Sequence, residues 1–384
     1  MQDLFVCNGF TPEERISART EAPGRIFFLT PEFIAGYWPL TAMPPERRAE
    51  VTACARRLQD DPEARALVWH LYTEFCIRNR ADGFPEILAG LEAESGKIYI
   101  LLLMALIPFF EERAVREGFP VRYARAAANR IGSSTVFFAQ KYHGEFGILA
   151  KSLPFMLNFK NRPCFRIGRF DFEMMAFNES LPEIYFADGE TIALCQDNWQ
   201  FDARGERTPN PAQAVRTTRL VRTENTVTGT PADPESGYAK PGEVTLDLTR
   251  WTRLAGPGDW TIHYHIPGGG GMTPEVCEES FAEAKTFFAE YFPDKPAKII
   301  WTNSWFFNPA YKEYLPESNI AKLSRAGSLF PVFSTGKDGL YFVFGREDDD
   351  FATYECRTSL QKAVLRCRRE RGFLRRTGWF IPIK

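Results

Sequence analysis

Two closely spaced histidines and a run of four glycines are the residues of this chain best placed to do chemistry. His263 and His265 are two of only four histidines, and Gly268, Gly269, Gly270 and Gly271 follow them. On an extended strand, positions i and i+2 point to the same face, so both imidazoles share one side. An imidazole titrates near neutrality and suits a general base or a substrate-orienting group. A hydrogen-bonded, half-buried histidine is the plainer reading of each taken singly. Zinc would need a third ligand at a suitable spacing, and the local sequence offers none.

The glycines let backbone N–H groups approach a ligand without interference from Cβ atoms. Thr273 and Pro274 then open a helix, whose first N–H groups and dipole favour an anion such as phosphate. No Gly-Lys-Ser/Thr follows, so the turn is not a Walker loop, and no acidic residue closes a second strand as a dinucleotide fingerprint requires. Ser304 and Trp305 end the next strand. Ser304 can hydrogen-bond a ligand but lacks the surroundings of a nucleophile elbow. Tyr311 and Tyr314, on a short helix further on, are proton donors or packing residues.

The elements that position these groups read as strand, glycine turn, helix, strand. Trp260 to Ile266 is a strand stopped by Pro267. The helix runs from Pro274 to about Phe292, with Cys277, Phe281, Ala284, Phe288 and Tyr291 on one face. Pro293 and Pro296 break it, and Lys298 to Ser304 is the second strand. Such a β-α-β unit predicts parallel neighbours joined by a right-handed crossover. A ligand is expected outside the carboxyl ends of the strands, beside the histidines.

The first 150 residues read mainly as helices. Thr11-Pro12-Glu13-Glu14 has the form of a capping box with proline at the first helical position, and Thr30-Pro31-Glu32 repeats the start signal. Leu67, Val68, Leu71, Tyr72 and Phe75 form a helical stripe. Ile98 to Phe110 is 13 apolar residues, short of the ~20 that a membrane span needs, and reads as a buried helix. A mixed helical stretch covers 123–140.

The pattern changes near residue 160. Cys164 to Met174 alternates with a phase shift at Gly168-Arg169, which predicts a bulge. Ile184 to Cys195 predicts a hairpin turning on Asp188-Gly189. Asp202 to Glu243 reads as long loop with one strand near Ala214 to Arg222. After the β-α-β unit come a short helix to Leu315, a break at Pro316 and a helix capped by Ser318. A strand from Gly339 to Phe344, a helix from Thr358 to Arg371 and a strand from Trp379 to Ile383 complete the reading.

Composition excludes several classes. The 384 residues are 44% hydrophobic and 25% charged, which rules out disorder, a collagen-like fibre and a coiled-coil rod. The formal net charge of −2 removes the global attraction of a non-specific nucleic-acid binder. Lys362, Arg366 and Arg369 share a helix face that reads as solvated. The eight cysteines include no C-x-x-C pair and form no disulfide framework. They imply reduced thiols in a cytoplasm, and no signal peptide is read at the start.

One set of residues resembles a known family. It comprises His263-Tyr264-His265-Ile266-Pro267-Gly268-Gly269, Ser280, Phe287-Phe288, Tyr291-Phe292-Pro293, Ser304-Trp305, Leu315-Pro316 and Ser318-Asn319-Ile320. Phe165-Arg166-Ile167-Gly168-Arg169-Phe170 and Gly258-Asp259 add to it. The set is similar to bacterial acyltransferase-domain proteins with a helical N-acyltransferase-type N-terminal domain and a GNAT-like C-terminal domain.

The resemblance implies an α+β chain: a helical domain over residues 1–155, then a GNAT-like mixed sheet flanked by helices over 156–384. It implies acetyl-CoA or another acyl-CoA as co-substrate and a small-molecule or peptide amine as acceptor, with no nucleic-acid or membrane partner. In such proteins the acyl-CoA lies between two splayed parallel strands, and its pyrophosphate rests on a turn of the form Gln/Arg-x-x-Gly-x-Gly/Ala. Here that turn is His265-x-x-Gly268-x-Gly270, with Thr273 opening the helix. His265 stands in place of Gln or Arg, and Pro267 lacks a backbone donor.

The implied coenzyme contacts are Ile266, Pro267, Gly268, Gly269, Gly270, Gly271, Met272, Thr273, Trp305 and Asn319. The implied catalytic group is His263 as base, with His265 beside it and Ser304 or Tyr311 as donor to the leaving thiolate. A GNAT-shaped protein that binds its ligand without catalysis is the alternative, and a nucleotide-binding module resting on the glycine turn alone is a third.

Overall fold

The computed structural model describes residues 3–208, 210–372 and 374–383. The chain forms two compact units. The first runs to Ile167 and takes in Pro267–Gly269. The second holds Gly168–Ile266 and continues from Gly270.

The first unit is helical until its last strand, Cys164–Ile167 (β1). Its helix starts follow the predicted caps. The Glu14 N–H donates to Thr11 Oγ1 and the Thr11 N–H to Glu14 Oε2, so the capping box closes and satisfies two orphan donors. Thr30 Oγ1 accepts from the Phe33 N–H in the same way. The apolar run becomes the helix Ser95–Glu117, which ends on Gly118 in the left-handed region. Ile98 to Ile107 are fully buried. Among the described residues no helix is long and apolar enough to cross a membrane.

The second unit is built on strands. They are Phe170–Ala176 (β2), Glu183–Ala187 (β3), Glu190–Leu194 (β4), Gln200–Phe201 (β5), Arg216–Thr217 (β6), Leu220–Arg222 (β7), Thr226–Gly229 (β8), Val244–Asp247 (β9), Thr252–Ala255 (β10), Trp260–His265 (β11), Ile299–Ser304 (β12), Ser328–Phe330 (β13) and Thr377–Pro382 (β14). Its main sheet runs β2-β11-β12-β14-β13. β11 and β12 are parallel, as predicted, and the other pairs in this order are antiparallel. The β-α-β connection is the helix Pro274–Tyr291, with Thr273 as its cap and Pro274 at its first position.

The two sheet faces differ in kind. Phe170, Phe172, Tyr264 and Trp379 gather around Phe281 of that helix, with ring centroids 4.9–6.2 Å apart. On the other face Trp301, Phe330 and Phe380 join Phe177, Ile184 and Ala255, which ties the sheet to the smaller sheet β10-β3-β4. The β3–β4 hairpin turns on Asp188-Gly189, both at positive φ, as its Asp-Gly sequence demands.

Three expectations fail. Gly168-Arg169 is not a bulge within one strand. Gly168 has φ +54° and makes a turn that separates β1 from β2. The polar stretch after Asp202 is not a structureless loop. It supplies β6, β7 and β8, which pair with β5 before it and β9 after it, and the strand expected near 214–222 is divided between β6 and β7. Its alternation is weak because most of these strands bury only a few residues. Finally, Gly339–Phe344 is not a strand. Leu340–Phe344 is a short helix whose Leu340 and Val343, three apart, pack inward. A short apolar run fits either period, and the tertiary contacts select the helix.

Candidate active site

β11 sets the site. Its alternation sends Ile262 and Tyr264 into the apolar side and His263 and His265 to the opposite face. The imidazoles meet edge to face, with centroids 4.5 Å apart. His263 also lies 4.4 Å from the Trp301 ring, and Trp301 Nε1 donates to Thr261 Oγ1 at 2.9 Å, which fixes that wall. His263 is buried, and its Nδ1 has no hydrogen-bond partner. Burial, and next the charge of His265, push its pKa well below the ordinary 6.5. Burial thus favours the neutral form of the His263 imidazole. His265 keeps 30% of its side chain exposed and is the solvent-facing member.

The antiparallel register adds a carboxylate. Glu173 stands opposite His263, and Asp171 opposite His265. Glu173 is buried, with Oε2 3.7 Å from His265 Nε2. One ligand atom from each of Glu173, His263 and His265 lies within 4.8 Å of the others. The sequence analysis missed Glu173, which is 90 residues away from His263 in the chain. The only sequence signal was an acidic residue inside an aromatic strand, Phe170-Asp171-Phe172-Glu173.

The parallel strands then part. β2 pairs with all six residues of β11, and β14 with all six of β12. The ladder between β11 and β12 carries only two pairs, Ile262 with Ile300 and His263 with Trp301. Beyond them, toward the carboxyl ends, Tyr264 and His265 have no ladder partner in β12. His263 lies in the last pair and His265 beyond it, and at the other end Trp260 and Thr261 are likewise without partners in β12.

The glycine turn follows directly. Gly268 to Gly271 are exposed, and Gly269 and Gly270 have φ +72° and +70°, which favours glycine. Arg169 crosses the turn, and its Nε donates to the Gly271 carbonyl at 3.1 Å. That places a guanidinium, which the sequence analysis left unassigned, against a loop suited to an anion. Pro267 and Met272 are buried and Ile266 half-buried, so Met272 can offer a ligand its backbone only. Thr273 is spent as the helix cap.

Ser304, at the end of β12, accepts from the Phe306 N–H at 3.2 Å and retains its own proton to donate. Trp305 lies against Gly339, where an added Cβ would meet the indole at 2.7 Å. Asn319 is the half-buried first residue of the helix Asn319–Arg325, which Ser318 caps. Tyr311 packs against Trp305, the residue that follows β12, with ring centroids 6.4 Å apart. It is 1% exposed in a core with Leu340, Val364 and Leu374, its hydroxyl has no partner, and burial raises its pKa.

Comparison with known proteins decides the family. The model of the GNAT-like C-terminal domain matches residues 164–380. The chain belongs to that family. Its fold is that of solved acyltransferase structures. One, in complex with decanoyl-CoA and teicoplanin, shares 17% identity at a TM-score of 0.63, covering 99% of this chain and 98% of the other. Another, a mutant acyltransferase in complex with octanoyl-CoA, shares 17% identity at 0.61, with 100% of both chains covered. A third, in complex with CoA and 10C-teicoplanin, shares 17% at 0.62, covering 99% and 98%. No curated protein matches the sequence.

Proposed function

We propose that this protein transfers an acyl group from an acyl-CoA to an amine by direct attack. The observation that carries the reading is the parting of β11 and β12 after two residue pairs, with His263, His265 and Glu173 at the opening. Unpaired strand backbone there can hydrogen-bond an extended pantetheine arm as a sheet edge binds a strand. Gly270 and Gly271, with Arg169, would receive the phosphates. The acyl-CoA ligands of the solved relatives support the choice of co-substrate.

In the reaction, a backbone N–H near Ile266 polarises the thioester carbonyl. His263 removes the amine proton through a water, since it is buried and only His265 reaches solvent. Ser304 or Tyr311 protonates the departing thiolate. The acceptor is a small-molecule or peptide amine. The reading keeps residues 1–155 as the helical domain and 156–384 as the acyltransferase domain, and places the reaction in the cytoplasm, in keeping with eight free thiols.

The test is calorimetric titration with acetyl-CoA and CoA, with G269D as control. The added carboxylate meets open space, so it acts by charge and backbone preference, not by collision. Binding near 1 μM, about −8 kcal/mol, that the variant loses is the expected result. A folded protein that binds neither compound would refute the reading. Binding without transfer to any amine would leave a ligand-binding protein.

A further inference from the structure

We infer that Glu173, His263 and His265 form a binding site for one divalent transition-metal ion, zinc being the type. The inference goes beyond acyl transfer, because the same geometry would bind the ion whether or not the reaction occurs.

Two imidazoles and one carboxylate are a ligand set for borderline-soft cations. Hard cations such as magnesium and calcium take oxygen ligands. Three protein ligands with an open position for water match mononuclear zinc sites. Zinc–ligand distances of about 2.0–2.2 Å place ligand atoms roughly 3.4 Å apart in a tetrahedron. His265 Nε2 and Glu173 Oε2 stand at 3.7 Å, and the whole trio lies within 4.8 Å. Small side-chain rotations close the set.

A second, independent observation points the same way. His263 is 8% exposed, and its Nδ1 is buried without a hydrogen-bond partner. Such a group costs stability unless something completes it. The Trp301 ring and the strand backbone hold the imidazole in place, so little order is lost on binding. The half-exposed His265 gives the ion a way in. A carboxylate oxygen and two imidazole nitrogens are donor atoms that suit a dication. A bound ion would take up imidazole lone pairs that the transfer reaction needs, so metal and acyl transfer compete.

The test strips the full-length protein with a chelator and titrates it with Co²⁺, followed by visible absorption, and with Zn²⁺, followed by calorimetry. One ion per chain is expected, with cobalt bands typical of nitrogen and oxygen ligands and displacement of Co²⁺ by Zn²⁺ but not by Mg²⁺. E173A and H265A should each abolish it, and the near-isosteric E173Q should weaken it without loss of fold by circular dichroism. Absence of saturable binding, a thiolate charge-transfer band that puts the ion on cysteine, or variants that bind like wild type would overturn the inference. The competition arm rests on the proposed function and fails separately. Transfer that falls as the site fills supports shared imidazoles. Undiminished transfer with the site full removes His263 from the reaction and leaves the metal site standing.

Discussion

From Ile98 to Ile107 the helix Ser95–Glu117 is fully buried and carries no charge, whereas strand β11, buried from Thr261 to Tyr264, holds two imidazoles with a carboxylate opposite. The helix could be rebuilt from other apolar residues of similar volume at modest cost. β11 instead carries a penalty, because a buried polar group left unpaired costs about 1–3 kcal/mol. A chain that buries His263 Nδ1 without a partner carries a cost that its core does not require. The difference separates packing, which stabilises the fold, from chemistry, which is tolerated by it. Tyr264, one residue away on the same strand, faces the packing side, though its hydroxyl too is buried without a partner. It is fully buried among Phe170, Phe281 and Trp379.

The sharpest way to break the comparison is H263A. It should lower turnover by about 10²–10⁴-fold, the span of a lost general base, with the folded state intact by circular dichroism. Unchanged turnover and an unchanged pH profile would put His263 back among packing residues.

L102A in the helix should do the reverse. A buried leucine truncated to alanine costs about 2–5 kcal/mol, read as a lower denaturant midpoint. Turnover per folded molecule should stay the same, and a selective loss of turnover would mean that the helix is more than scaffold.

The smallest effect concerns pH. His70, in the first unit, is 6% exposed between Phe5 and Phe10, with Nε2 unpartnered. Burial lowers its pKa below 6.5, and Glu14 offsets part of the shift. The folded state thus binds fewer protons there than the unfolded state. Its contribution is complete above about pH 6.5 and is lost as pH falls through the folded pKa. One histidine limits the slope to about 1.4 kcal/mol per pH unit. H70F should flatten the acid-side loss in equilibrium unfolding. An equal slope in the variant would assign the loss to carboxylates or to His263.

Much of this was legible locally. Thr11 with Glu14, Thr273 with Pro274, Ser318 and the Asp188-Gly189 turn are short-range stereochemistry, and each forms as its sequence dictates. The period of Ile98 to Phe110 announced a buried helix, and β11, glycine turn, helix and β12 announced a parallel pair. Where the signal was short and ambiguous, as at Gly339 to Phe344, local reading chose the wrong period.

The sequence by itself determined which side chains share the chemical face of β11, because alternation along a strand follows from backbone geometry alone. It also determined the glycine turn and the helix that follows it. Tertiary structure decided the rest. The strand register set Glu173 opposite His263 across 90 residues of chain, and packing drew Tyr311 into a core with Leu340 and Val364. The β11–β12 ladder ends at His263, the first of the two imidazoles. These features depend on which strands pair and where pairing stops. Both are settled by burial of the whole sheet against its helix and its companion sheet, which no local window of residues contains.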